Sequence, residues 1–150
     1  ADGVRRPLTL VKREQPLGPT DERRVLSARA VRQVRAMMEE VVTRQGTGLK
    51  AGVPGYRVAG KTGTARKIVG GHYSNRYFSL FAGMAPASDP RLVMVILIDE
   101  PKGGAYYGGT VAAPVFGATM GGALRILNVT PDDMPNLRLA AEEPAKGATP

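Results

Sequence analysis

At 150 residues and 43% hydrophobic content, the chain is long enough for one globular domain. It has no cysteine and a single histidine, His72, which argues against cysteine-based zinc sites, a disulfide framework, a His-rich metal centre and a Ser-His-Asp triad. The formal net charge of +8 lies mostly between Arg5 and Arg35, but no aromatic residue interleaves with that stretch, so a solvated face is expected there and not a nucleic-acid site.

In chain order, residues 1–20, with Pro7, Pro16 and Pro19, read as a loop or a short edge hairpin. Ser27 to Arg44 reads as a helix with Ser27 as N-cap and Gly46 as stop, its apolar stripe being Val31, Val34, Met38 and Val41. Tyr56 to Val69 alternates with a period of two and predicts a strand, followed by a turn at Gly70-Gly71. Arg76 to Ala85 predicts a second strand. Arg91 to Ile98 predicts a third; both its faces are apolar, so it is expected to be central or covered. The connections are short, which implies an antiparallel meander. A Gly-rich loop, Pro101 to Gly109, leads to a closing helix, Thr110 to Leu127. That helix tolerates Pro114 only in its first turn. Its predicted apolar face is Val111, Val115, Ala118, Leu124 and Leu127, and Gly117, Gly121 and Gly122 suggest close packing on a sheet. Residues 131–150, with Pro131, Pro135, Pro144 and Pro150, read as a flexible tail. The expected fold class is α+β. The longest apolar run, Leu92 to Ile98, is strand-sized and not membrane-spanning.

Two chemistries fit the stretch from Gly55 to Ile68. Gly55-x-x-x-x-Gly60-Lys61-Thr62 matches a phosphate-binding loop, and Val93 to Glu100 looks like the Walker B strand of a P-loop nucleotide hydrolase. A phosphate loop needs a buried strand before it and a helix after it, whose N-terminus meets the phosphates. Here Thr47 to Pro54 precedes, Gly63 to Gly71 follows, and neither segment qualifies. The alternative is a Lys-Thr-Gly strand, the third motif of penicillin-binding proteins and serine β-lactamases. On an edge strand, Thr62 and Thr64 project to one face with Arg66, Gly63 leaves its backbone approachable, and Lys61 supplies positive potential.

The longer stretches "YRVAGKTGTARK", "SLFAGMAPASDPRLVMVILIDEP" and "YYGGTVAAPVFGATMGGALRILNV" resemble the C-terminal part of the transpeptidase domain of class B penicillin-binding proteins, closest to the division-specific type, penicillin-binding protein 3. The resemblance runs from about Ala28 to Pro135 and makes residues 21–130 part of such a domain. It implies the serine acyltransferase/β-lactamase-like fold and D,D-transpeptidation of stem peptides ending in D-Ala-D-Ala. β-Lactams mimic the donor, and no cofactor or metal is needed. Lys61, Thr62 and Gly63 would be the catalytic third-motif strand, and Thr62 and Thr64 would bind the donor carboxylate. Arg66 would sit at the edge of that site, and Tyr77, Tyr106 and Tyr107 would line the cleft. The implied partners are the rest of the domain, a division glycosyltransferase and other division proteins. The implied location is the periplasmic face of the inner membrane, through an anchor outside these residues.

The nucleophile motif Ser-x-x-Lys is missing: Ser27, Ser74, Ser79 and Ser88 are followed three residues on by Ala30, Tyr77, Ala82 and Arg91. The Ser-x-Asn motif is missing too. The chain is therefore expected to be one wall of an active site and inactive alone. A non-catalytic β-lactam sensor would share the same strand.

Overall fold

The computed structural model describes residues 3–8, 10–11 and 22–134; the second half of the predicted N-terminal loop and nearly all of the predicted tail lie outside them. Contacts divide the chain into two compact units, residues 1–36 and 37–150. In the first, β1 (Val4–Arg5) pairs antiparallel with β2 (Arg23–Arg24), and Arg6 meets Glu22 at 2.7 Å.

Helix α1 spans Ala28–Glu40. Its first turn is capped as expected, Ala30 N–H donating to Ser27 Oγ at 3.1 Å. It ends four residues before the predicted Arg44. The β-branched Val41-Val42-Thr43 favours a tightened turn, in which Val42 N–H donates to Glu39 O and Thr43 N–H to Glu40 O. None of its residues is fully buried, and Val34 of the predicted stripe is 53% exposed.

The second unit is built on a three-stranded antiparallel sheet of order β3 (Ala59–Val69), β4 (His72–Ala85), β5 (Leu92–Asp99). β3 starts three residues later than predicted. The backbone around Tyr56 is tied elsewhere: Tyr56 N–H donates to Val53 O, Tyr56 Oη to Val129 O at 2.6 Å, and Arg57 N–H to Asp132 Oδ1 at 2.8 Å. Asp132 also accepts from the amide and hydroxyl of Ser88. β4 starts four residues earlier than predicted. Gly70 and Gly71 sit at φ +59° and +82°, the backbone that a two-residue hairpin needs, and Val69 pairs directly with His72.

The register puts Gly60, Thr62, Thr64 and Arg66 of β3 on one face with Tyr77, Ser79, Phe81 and Gly83 of β4 and with Met94, Ile96 and Ile98 of β5. Helix α2 (Gly108–Ile126) packs on this face, where Phe116 meets Phe81 at 4.7 Å between ring centroids. Four expectations are corrected here. β5 is an edge among the described strands, and its second face is uncovered: Val93, Val95 and Leu97 are 74%, 62% and 52% exposed. The buried face of α2 is Ala112, Phe116, Met120 and Leu124; of the predicted face only Leu124 is buried, while Val115 and Leu127 are exposed. Pro114 lies in the second turn, on the exposed side, where its missing N–H leaves a carbonyl to solvent. Gly117 and Gly121 do pack closely, but against the Lys50–Val53 segment and not the sheet.

Candidate active site

β3 carries the candidate residues on the sheet's outer strand. Thr62 and Thr64 share the α2-facing side, and the helix begins directly against them. This close approach depends on the absence of side chains at Gly108 and Gly109. A Cβ on Gly108 would lie 2.2 Å from Leu80 O and 2.4 Å from Gly63 O, and one on Gly109 would lie 1.9 Å from Thr47 O. The amide of Gly108 donates to Thr64 Oγ1 at 3.1 Å, so the strand hydroxyl satisfies one of the helix's free N-terminal donors. The Gly63 backbone is thus approached closely, on that side by Gly108. Between strand and helix start is a cavity of about 300 Å³, and Thr47, Thr62, Thr64, Tyr107 and Thr110 are among its lining residues.

Lys61 alternates to the opposite face. Its ammonium folds back along the strand, 2.8 Å from Thr62 O and 3.5 Å from Thr62 Oγ1. Lys61 and Thr62 are therefore brought together although their side chains leave opposite sides of the sheet.

Further along the Thr62–Thr64 row, Arg66 lies 5.7 Å from the centroid of Tyr77 and reaches Tyr77 Oη and Asn75 Oδ1, both at 3.3 Å. Tyr77 stacks on Tyr106 at 4.1 Å, and Tyr106 meets Tyr107 at 4.6 Å. The buried hydroxyl of Ser79 donates to the Tyr106 carbonyl and fixes this ladder to β4. The hydrogen bond between the Tyr106 and Tyr107 phenols, with the like charge that Tyr107 and Tyr77 would add, raises the Tyr106 pKa above the usual phenol range. Tyr106 is neutral at neutral pH, an aromatic wall and not a base. Thr47, Asn75, Ser79 and the Gly108-Gly109 pair are what the sequence reading missed. The one signal was the Gly-Thr-Gly run that carries Thr47.

The phosphate-loop reading has no support in this geometry. Gly60, Lys61 and Thr62 lie within an antiparallel strand, and no helix follows them. The supposed Walker B acids are occupied: Lys67 Nζ lies 2.9 Å from Asp99 Oδ1 and 2.7 Å from Glu100 Oε1. The hydrogen bond from Lys67, and then the charges of Lys67 and Arg76, hold the Glu100 carboxyl below the usual carboxylate range. The stabilisation from this pair is therefore complete above the ordinary glutamate pKa and fades as pH falls through the depressed one. An NMR titration should place the Glu100 midpoint below that of a free glutamate, and Lys67→Met should move it upward.

All four serine hydroxyls have structural partners. Ser27 accepts from Ala30 N, Ser74 donates to Lys67 O, Ser79 to Tyr106 O and Ser88 to Asp132. None of these bonds is to a lysine amine, the partner by which an activated serine is recognised.

Residues 1–121 match the family described as "Penicillin binding protein transpeptidase domain". The chain is 50% identical over 131 residues to Peptidoglycan D,D-transpeptidase FtsI of Escherichia coli (strain K12), covering 87% of this chain and 22% of that protein. It is 43% identical over 147 residues to the probable peptidoglycan D,D-transpeptidase PbpC of Pseudomonas aeruginosa, covering 97% and 26%. The apo structure of the TP domain from Burkholderia pseudomallei penicillin-binding protein 3 superposes with a TM-score of 0.78 at 47% identity, covering 87% of this chain and 40% of that one. The chain thus spans about a quarter or less of these two curated relatives. The Lys-Thr-Gly strand, the α+β topology around it and the extent of these matches lead to one family: the chain belongs to the penicillin-binding protein transpeptidase domains.

Proposed function

We propose that this chain forms the carboxylate-binding wall of a serine D,D-transpeptidase whose nucleophile lies in a part of the protein outside these 150 residues. The observation that carries the reading is the cavity where Thr62 and Thr64 meet the start of α2, with the Lys61 ammonium at the edge of the same strand. The substrate is a stem peptide ending in D-Ala-D-Ala. Its terminal carboxylate accepts from the two threonine hydroxyls, under the positive potential of Lys61. Arg66 and the Tyr77–Tyr106–Tyr107 ladder flank the bound peptide. The serine oxygen attacks the penultimate carbonyl, D-Ala leaves as the amine with the serine proton, and an amine of a neighbouring stem then takes the acyl group and releases the serine. β-Lactams enter by the same carboxylate and trap the acyl-enzyme. The setting is septal wall synthesis at the periplasmic face of the inner membrane, alongside a glycosyltransferase and other division proteins.

A fluorescent penicillin should label the full-length protein on a serine outside residues 1–150, and the 150-residue chain alone should remain unlabelled. Intact mass and peptide mapping after denaturation check both. A stoichiometric adduct on Ser27, Ser74, Ser79 or Ser88 would sink this reading. Acylation coupled to signalling without transpeptidation would favour the sensor instead.

A further inference from the structure

We infer that Thr47 is a positioning residue for Thr62, fixing the direction in which the Thr62 hydroxyl donates; the inference rests on the carboxylate-binding role proposed above. The two hydroxyl oxygens are 2.9 Å apart, and either can be the donor. A threonine hydroxyl has one hydrogen and two lone pairs. A carboxylate only accepts, so Thr62 serves it by turning its single hydrogen outward. That is compatible with the contact only if Thr47 donates to Thr62. Lys61 Nζ, 3.5 Å from the same oxygen, is donor-only and biases it in the same sense. With lone pairs occupied from Thr47 and Lys61, the remaining O–H of Thr62 points away from both. Thr64 is arranged alike, since its oxygen accepts from Gly108 N–H and leaves its hydrogen free. Thr47 thus makes the two strand hydroxyls equivalent donors.

The location of Thr47 is built and not incidental. Its neighbour Gly48 is buried and donates to Val41 O at 2.8 Å, and a Cβ on Gly48 would strike the Phe81 ring at 2.8 Å. On the other side Gly109 packs so closely that a Cβ there would lie 1.9 Å from Thr47 O. The loop after α1 is therefore wedged between the core and the start of α2, and it delivers one hydroxyl to Thr62.

The test uses full-length protein carrying Thr47→Val, Thr47→Ser, Thr62→Val and the double variant. Second-order acylation rates are measured with a penicillin and with its methyl ester, together with thermal midpoints. Thr47→Val should slow acylation by the penicillin about ten-fold, the worth of one aligned hydrogen bond. Thr47→Ser should restore it. The ester, which carries no anion for Thr62 to bind, should react equally with wild type and Thr47→Val. In the Thr62→Val background, Thr47→Val should cost nothing more. An equal loss with both penicillin and ester, no loss with either, or full additivity of the two substitutions would each overturn the inference. If wild type itself is not acylated, the proposed function fails and takes this inference with it. Wild-type acylation with an indifferent Thr47→Val defeats the inference alone.

Discussion

Replacing Thr64 by valine should slow acylation of the full-length protein by roughly 10- to 150-fold. Valine keeps the shape of the side chain and removes one hydroxyl. A hydrogen bond to a charged carboxylate contributes roughly 1.5–3 kcal/mol, which converts to that range if the bond is fully formed in the transition state. The substitution also touches the fold. Thr64 Oγ1 accepts from the Gly108 amide, so valine also removes a helix-end partner. A loss of about 1 kcal/mol is expected from that source. Against a total stability of roughly 5–15 kcal/mol, such a loss leaves the protein folded, so it does not account for a slow reaction. Thr64→Ser keeps both hydrogen bonds and should retain most of the rate. Acylation rates and unfolding midpoints, measured together, separate the two effects. An unchanged rate in Thr64→Val would show that the hydroxyl serves only the helix.

The largest stability effect is expected at Phe116. Its ring is fully buried and tilted at 57° against Phe81, itself fully buried. Truncation to alanine removes the ring that ties α2 to the centre of β4 and leaves a cavity that the sheet cannot close. The expected cost is about 3–5 kcal/mol. The space around the ring is already shaped by an absent side chain, because a Cβ on Gly83 would lie 2.9 Å from both Phe116 and Phe81. Denaturant unfolding of wild type and Phe116→Ala measures the difference. A loss under about 1 kcal/mol, the range of surface substitutions and mild swaps, would mean that α2 is not seated as described.

The elements were legible where local chemistry decides them. Ser27 announces a helix start, Gly70-Gly71 a hairpin, and the alternating residues around Lys61 a strand; the structure has all three. The family was legible because three long stretches carried it, and the match over residues 1–121 agrees. Tertiary partners decided the remainder. Nothing local tells that Tyr56 bonds to Val129 or Arg57 to Asp132, contacts 73 and 75 residues apart, yet these hold Tyr56–Val58 out of the ladder. The face of α2 was misread because valines were weighted over the Ala112–Phe116–Met120–Leu124 row that repeats every four residues. β5 looks doubly apolar in sequence and is doubly apolar in space, but the described residues cover only one side. Within the site, Thr62 and Thr64 could be placed on one face from periodicity alone. Thr47 could not, because its partner is 15 residues away.

The contacts of Asp132 bear on how far the chain can be shortened. One carboxylate takes the Arg57 amide together with the amide and hydroxyl of Ser88, and the next residue, Asp133, donates its amide to Gly55 O. Four donors and acceptors from two distant stretches thus converge on a pair of residues just beyond α2. Cleavage before Asp132 would strip partners from Arg57 and Ser88 at one stroke and loosen the lead into β3. Among the described residues, the contacts that steady the entry to β3 therefore extend past the end of α2 to Asp133.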